Sequence, residues 1–404
     1  MFTKLSEVKV LRDPIHGYVH IDLQVIWELL NTKEFQRLRR IRQLGGAFAV
    51  YHTAMHTRFE HSLGVYEIVR RMVVEIEDLN HSLTEYEKVC VMVAGLLHDV
   101  GHFPYSHAFE SIVNCNHEEF TQRILLEDTQ IHSILMQHHP SLAKDVCDII
   151  NHSHPNNILT QIISSQLDAD RMDYLLRDSY FTGTKYGQFD LERLLRTIRV
   201  KQEQLVIKES GMHTVEDYIM ARYHMYWQVY LHPVARSFEV MLQCFFARLK
   251  DVYLHQPEVL KGITMFDVFL QEGTISVEDH FLFDEHACNY GIMCLRKVSD
   301  PILADLAKAL LDRKLFGYVD ASKETMAYYK KCLEEAGYDS RYYLRYDQAS
   351  KKPYQPYIGS DIYILVNKQI QELSQTSNIV SAIVKAEVKK ESLLFGPKEL
   401  LQGF

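Results

Sequence analysis

The chain has 404 residues, enough to bury a large core, and reads as one large domain followed by a smaller region. Apolar residues make up 47% and charged residues 24%, an ordinary soluble composition that excludes a disordered chain. The net charge of −9 argues against nucleic acid as the main partner.

The first 250 residues read as mostly helix. Segments 22–31, 33–44, 59–78, 85–99, 117–127, 143–151 and 159–167 carry helical periodicity or apolar runs joined by short turns. Thr84 and Glu87 have capping-box spacing ahead of the run Val89 to Leu97, which is apolar on every side and predicts a buried helix. Gly101 and Pro104 end it. After Arg196, TIRVKQEQLVIKES reads as a β-hairpin, and Thr214 opens a long helix to about 253. Beyond 255, helices are expected at 258–271, 300–312 and 323–336. Short strands at Tyr342-Tyr343-Leu344 and Ile362-Tyr363-Ile364-Leu365 precede a charged tail. The expected fold is mostly α, with a helical core and small hairpin over 1–255 and a mixed α+β region over 256–404. No apolar run approaches the ~20 residues of a membrane span. The N-terminus has no secretory pattern, and the seven cysteines include no CxxC pair. A cytoplasmic protein with reduced thiols is therefore expected, with Cys90 and Cys244 in the core.

Histidine is the outlier. The chain has 21, and eight lie within the 66-residue stretch from His52 to His117. At the end of the apolar run stand His98 and Asp99, side by side. Desolvating an imidazole and a carboxylate without partners is costly, and a shared cation satisfies both. Further ligands are available in His56-Thr-Arg58-Phe-Glu60-His61 and in Asp168-Ala-Asp170-Arg171-Met-Asp173-Tyr174. A set such as His61, His98, Asp99 and Asp170 is a mixed nitrogen and oxygen site, but spacing alone does not choose among the aspartates. With no thiolate in it, Mn²⁺, Mg²⁺, Fe²⁺, Ni²⁺ and Zn²⁺ all fit. Such an ion activates water and polarises a phosphoryl oxygen.

The ordered motifs HTRFEHSLG (56–64), LLHDVGHFPYSH (96–107), NHEEF (116–120) and LDADRMDYLLRD (167–178) resemble the HD-domain phosphohydrolases. Among these the chain is most similar to the deoxynucleoside triphosphate triphosphohydrolases, including animal members that join a SAM and an HD domain. DPIHG (13–17), FQRLRRIRQLGG (35–46) and ARYHMYWQVYLHP (221–233) extend the likeness, which covers roughly the first 250 residues. The resemblance implies that His61, His98, Asp99 and Asp170 hold one divalent metal, with a further Mg²⁺ accompanying the nucleotide. Asp168 and Asp173 then become capping or supporting carboxylates. His107 is implied as the acid that protonates the departing 5′-oxygen, supported by Glu110, with His102 and His117 at the phosphates. Arg58 and Arg222 match phosphate-contacting arginines, and Gln43 and Leu44 match substrate contacts. Tyr230 matches a residue at sugar and base. Tyr174 and Asp178 match the positions that hold the deoxyribose, Asp178 accepting from the 3′-OH. The implied reaction releases deoxynucleoside and intact triphosphate.

Arg37, Arg39, Arg40 and Arg42 form a basic run whose ordinary reading is a solvated face. In the resembled family, residues matching Lys9, Val10, Gln36 and Arg39 bind an activating guanine nucleotide between subunits of a homo-oligomer, a dimer or tetramer. Asn31 stands where the animal enzymes have an aspartate that reads guanine. Two alternatives share the HD scaffold: a signalling-nucleotide phosphodiesterase and a non-catalytic nucleotide or nucleic-acid binder. Against the first stand His102, where the cyclic-dinucleotide branch has lysine, and Phe103-Pro104, where alarmone hydrolases place Glu-Asp. Against the second stand all four ligand positions and both arginines.

Overall fold

The computed structural model describes residues 2–106, 109–110, 116–271, 273–350, 361–386 and 390–401. The chain opens on an antiparallel hairpin, β1 (Lys4–Asp13) and β2 (Gly17–Leu23), where the sequence suggested no strands. Its turn is DPIHG. Asp13 accepts from the Ile15 and His16 amides (2.8 and 3.0 Å), and Gly17 supplies the left-handed residue at φ +72°. Two short helices follow, α1 (Gln24–Leu30) and α2 (Lys33–Arg37). The predicted helix 33–44 therefore stops early and passes through a 3₁₀ turn, Leu38–Arg40.

The core is built on α3 (Arg58–Glu75), α4 (Glu77–Ser82) and α5 (Glu85–Leu97). Thr84 and Glu87 cap α5 reciprocally, and Val91, Val93, Ala94, Leu96 and Leu97 have no exposed surface, as an all-round apolar helix requires. Around them pack α6 (His117–Leu126), α7 (Gln130–His138), α8 (Leu142–Ile150), α9 (Asn157–Ile163) and α10 (Ala169–Thr182). Asp168 caps α10 by accepting from the Arg171 amide at 2.7 Å. After α5 the chain must pass close to α6, and Gly101 permits it. A Cβ there would lie 2.3 Å from both the His117 carbonyl oxygen and the Thr121 amide.

Next come α11 (Leu191–Thr197) and the predicted hairpin, β3 (Ile198–Lys201) with β4 (Gln204–Lys208). The expected single helix to 253 is broken in two: α12 (Met212–Met225), a π turn at Tyr226–Tyr230, then α13 (Pro233–His255). Pro233 explains the break, because it has no amide to continue a helix but suits a first turn.

Beyond α13, the expected helix 258–271 is reduced to a 3₁₀ turn at Pro257–Leu260 and the single turn α14 (Asp267–Leu270). The helices α15 (Val277–Leu282), α16 (Glu285–Leu295), α17 (Pro301–Leu311) and α18 (Lys323–Glu335) follow. Tyr342 and Tyr343 lie in a helical turn capped by Asp339, not in a strand. The remaining strands are β5 (Gly317–Asp320), β6 (Arg345–Ser350), β7 (Tyr363–Val366), β8 (Gln369–Glu372) and β9 (Lys390–Gly396). β9 lies between β5 and β6, inside what the sequence suggested was a charged tail. In the order β3-β4-β7-β8, the parallel pair Ile207 and Ile364 joins the β3–β4 hairpin to the C-terminal strands. A second, aromatic core joins Phe103, Phe109 and Phe120 to Phe246 and Phe283. Among the described residues no helix is long and apolar enough to cross a membrane.

Asp300 ties α17 to α13. It accepts from the Leu303 amide (2.8 Å) and from the Arg248 guanidinium, with 3% of its side chain exposed. Burial pushes its pKa up, but the bonds from Arg248 and the amide outweigh this and hold it below the usual carboxylate value. Its contribution is thus present above the unfolded-state pKa and lost as pH falls through the folded value. Asp300→Asn is expected to destabilise by about 1–3 kcal/mol at pH 7. In thermal melts its Tm deficit should narrow as pH falls below the unfolded-state pKa of about 3.9 and close below the folded value; a constant deficit contradicts the assignment.

Candidate active site

The ends of α3, α5 and α10 converge on one point. From the first turn of α3 comes His61, fully buried; from the end of α5 come His98 and Asp99; from the first turn of α10 comes Asp170. His61 Nε2 lies 3.0 Å from Asp170 Oδ1 and 3.7 Å from Asp99 Oδ2. His98 Nε2 lies 3.5 Å from Asp99 Oδ1 and 3.7 Å from Asp170 Oδ1. Neither Nε2 has a hydrogen-bond partner, although both are buried. Their Nδ1 atoms are engaged, His61 with Asp173 Oδ2 (2.8 Å) and His98 with the Gly95 carbonyl (2.9 Å). Each Nδ1 bond fixes its ring so that Nε2 faces the centre.

Behind His61 lies a network that explains DPIHG. Asp173 is fully buried and also accepts from His16 Nε2 (2.7 Å) and from Arg177 Nε and Nη2 (2.9 Å each). Arg177 in turn donates to Asp13 at 2.8 Å. Burial pushes the Asp173 pKa up, but Arg177, His16 and His61 hold it well below the usual range. Gly64 leaves the space, since a Cβ there would lie 1.8 Å from Asp173 Oδ1.

A cavity of about 430 Å³ opens on this centre. Its walls include Asp99, Asp170, Arg58, His102 and His117, then Tyr174, Asp178 and Tyr230, then Gln43 and Leu44. Asp170, Tyr174 and Asp178 are spaced four apart and share one face of α10. Arg58 donates to Asp99 and, at 2.9 Å, to Ser106 Oγ. The His102 and His117 rings stack with centroids 3.7 Å apart, and Glu110 Oε1 bonds His117 Nδ1 at 2.6 Å. His107 lies outside the described residues. Arg222 does not line the cavity but stands beside Tyr174 on α12.

A model of the HD domain matches residues 58–178, and one of the HD associated region matches residues 189–270. The uncharacterized protein YwfO of Bacillus subtilis is 44% identical over 98% of this chain and 94% of its own length. A phosphohydrolase crystal structure from Bacteroides thetaiotaomicron superposes with a TM-score of 0.85 at 25% identity, covering 96% of this chain and all of that one. The chain belongs to the HD-type metal-dependent phosphohydrolases. Among its relatives the deoxynucleoside triphosphate triphosphohydrolase SAMHD1 homolog of Dictyostelium discoideum is 30% identical over 60% of this chain, which spans 49% of that protein.

HD domains bind a divalent metal, and the donors here suit one. The inward nitrogens of His61 and His98 group with an Asp99 oxygen, and Asp170 Oδ1 adjoins both rings, a nitrogen and oxygen donor set with no thiolate. Burial lowers the His61 pKa, but Asp170 and Asp173 outweigh it and push it up to about 10. The field that favours a proton on His61 equally favours a cation among the four residues.

Several neighbours of the cavity escaped the sequence. His56 Nε2 bonds Asp178 (2.7 Å), which the expected Tyr230 hydroxyl also bonds (2.8 Å), and Tyr105, Ser106, Tyr226 and Glu239 line the cavity too. Only the His56 spacing within HTRFEH carried a signal. The second-site residues divide. Gln36 bonds the Leu30 carbonyl (2.7 Å), and Arg39 bonds Gln36 (2.9 Å) and covers the Phe59 ring. Asn31 stands at the adjacent turn beside a separate cavity of about 890 Å³. Lys9 and Val10 are neighbours on β1, Val10 exposed and Lys9 half-exposed and paired with Glu7 (3.0 Å).

Replacing Asp173 by Asn removes the charge that orients His61. Supporting residues of this kind are worth about 10–100-fold in metal affinity. Mn²⁺ titration of Asp173→Asn should show a loss of that size; wild-type affinity contradicts the role.

Proposed function

We propose that the chain hydrolyses deoxynucleoside triphosphates to deoxynucleoside and inorganic triphosphate. The observation that carries this reading is one cavity shared by the metal-fitting centre, Arg58 and the Tyr174–Asp178–Tyr230 wall. His61, His98, Asp99 and Asp170 would hold the divalent ion, whether Mn²⁺, Mg²⁺, Fe²⁺, Ni²⁺ or Zn²⁺. When bound, such an ion supplies Lewis-acid polarisation of a phosphoryl oxygen and activation of water.

The chain's own residues account for the rest. Water adds at the α-phosphorus, the bond to the 5′-oxygen breaks, and that oxygen takes a proton; His107 is the proposed donor. Arg58 is anchored by Asp99 and Ser106 and keeps Nε without a partner, leaving its fork able to meet a phosphate oxygen. His102 and His117, the latter held by Glu110, serve the phosphates, and Arg222 supports that end from behind Tyr174. Tyr174 packs against C2′ and excludes a 2′-OH. Asp178 accepts from the 3′-OH, because each carboxylate oxygen keeps a lone pair beyond its bond to His56 or Tyr230. Gln43 and Leu44 border the base. Asn31, Gln36 and Arg39 are proposed to hold an activating nucleotide, completed by Lys9 and Val10 of a second copy in a dimer or tetramer. A further Mg²⁺ accompanies each nucleotide.

Purified protein incubated with each dNTP and NTP and Mn²⁺ or Mg²⁺ should yield triphosphate and deoxynucleoside, only from deoxynucleotides. Chelation and His98→Ala should each abolish turnover, and added dGTP, dATP or GTP should raise it. Orthophosphate or pyrophosphate as product contradicts the reaction, and flat rates remove the activator.

A further inference from the structure

The arginine run that begins at the end of α2 is only in part a solvated face: Arg39 is exposed, but the other three are held. Arg37, Arg40 and Arg42 all reach the three residues that start α16. Arg40 bonds Asp284, which caps α16, and Glu285 accepts from the Arg42 amide at 2.8 Å. Arg37 is the odd member. It is 1% exposed, and its three hydrogen bonds go to backbone carbonyls: 2.6 and 3.2 Å to Phe283, and 2.8 Å to His102. Burial pushes its pKa down to about 9, so it stays charged at neutral pH. A buried cation bonded only to carbonyls is costly. What it gains is a fixed link between α16 and the loop that carries His102.

The same loop is held again three residues on. There the Tyr105 hydroxyl donates to Asn289 Oδ1, on the second turn of α16, at 2.6 Å. Between these ties the backbone is strained, because Tyr105 and Ser106 sit in the left-handed region at φ 57° and 49°. Side chains disfavour that region, so the surroundings must impose the conformation. It has a consequence in the cavity, where Ser106 Oγ receives Arg58 Nη2 at 2.9 Å and His102 faces Asp99 at 3.3 Å.

We propose that the start of α16 is a positioning device for the cavity, in which Asn289, with Arg37 across from it, holds residues 102–106 so that His102 and Ser106 face the phosphate end. The proposal rests on the hydrolytic reading of the centre, but the metal-holding residues lie on or beside α3, α5 and α10 and do not bond to α16. Positioning and metal binding should therefore separate.

Asn289→Leu removes the acceptor for Tyr105 at similar size, and Asn289→Asp keeps one. Three quantities are read for each: amide hydrogen exchange in peptides spanning 99–106, Mn²⁺ affinity, and kcat and KM with a dNTP. A lost hydrogen bond corresponds to roughly tenfold. Asn289→Leu should raise exchange in that segment and lower kcat by about this factor, with KM and Mn²⁺ affinity unchanged within about twofold. Asn289→Asp should restore both. Unchanged exchange in Asn289→Leu overturns the proposal, as does loss of Mn²⁺ affinity in step with kcat without rescue by Asp. If the wild-type protein hydrolyses no dNTP, the proposed reaction falls, and exchange with its rescue alone decides the positioning role.

Discussion

Everything at the centre depends on one buried carboxylate. Asp173 gathers His61, His16 and Arg177, and through Arg177 it reaches Asp13 in the hairpin turn. An ionised group with no exposed surface survives only when its charge is matched and its lone pairs are filled. Here two imidazoles and a guanidinium do both. The result is a His61 ring that cannot turn, with Nε2 aimed between Asp99 and Asp170. The N-terminal hairpin is thus part of the site's foundation, although none of its residues lines the cavity.

A second constraint acts from the far end of the chain. The loop after α5 carries His102 and then holds Tyr105 and Ser106 in a left-handed backbone conformation that their side chains do not favour, and α16 opposes its relaxation. The two supports are independent. One orients His61 from the hairpin side, and the other shapes the His102 and Ser106 wall of the cavity from the C-terminal side. The aromatic core around Phe103 and Phe283 lies behind the second support and keeps water from its hydrogen bonds.

How much of this was legible in the sequence follows from range. His98-Asp99 could be read because an apolar run that ends in two polar groups is a local contradiction. Asp170 was chosen by motif, and Asp168 was recognisable as a cap. The hairpin β1–β2 was not legible, since its first strand alternates between exposed and half-exposed positions and shows no clean apolar face. The break in the long helix was hidden by aromatics on all sides, with Pro233 its one mark. β9 went unseen because its charged flank masked Leu393, Leu394 and Phe395, which are buried. The arginine run looked like a surface because its acceptors are remote, Phe283, Asp284 and Glu285 more than 240 residues away and His102 65 away, and those at Phe283 and His102 are backbone carbonyls that no side-chain pattern announces. His16 and Asp173, 157 residues apart, belong to the same class of contact.

The central claim is that four residues on three helices hold a single divalent ion. Anomalous diffraction from crystals grown with Mn²⁺ tests it most directly. The account predicts one strong peak bonded to His61 Nε2, His98 Nε2, Asp99 and Asp170 at about 2.0–2.3 Å. No peak there, or a peak held instead by Asp99, His102 and His117, would contradict it.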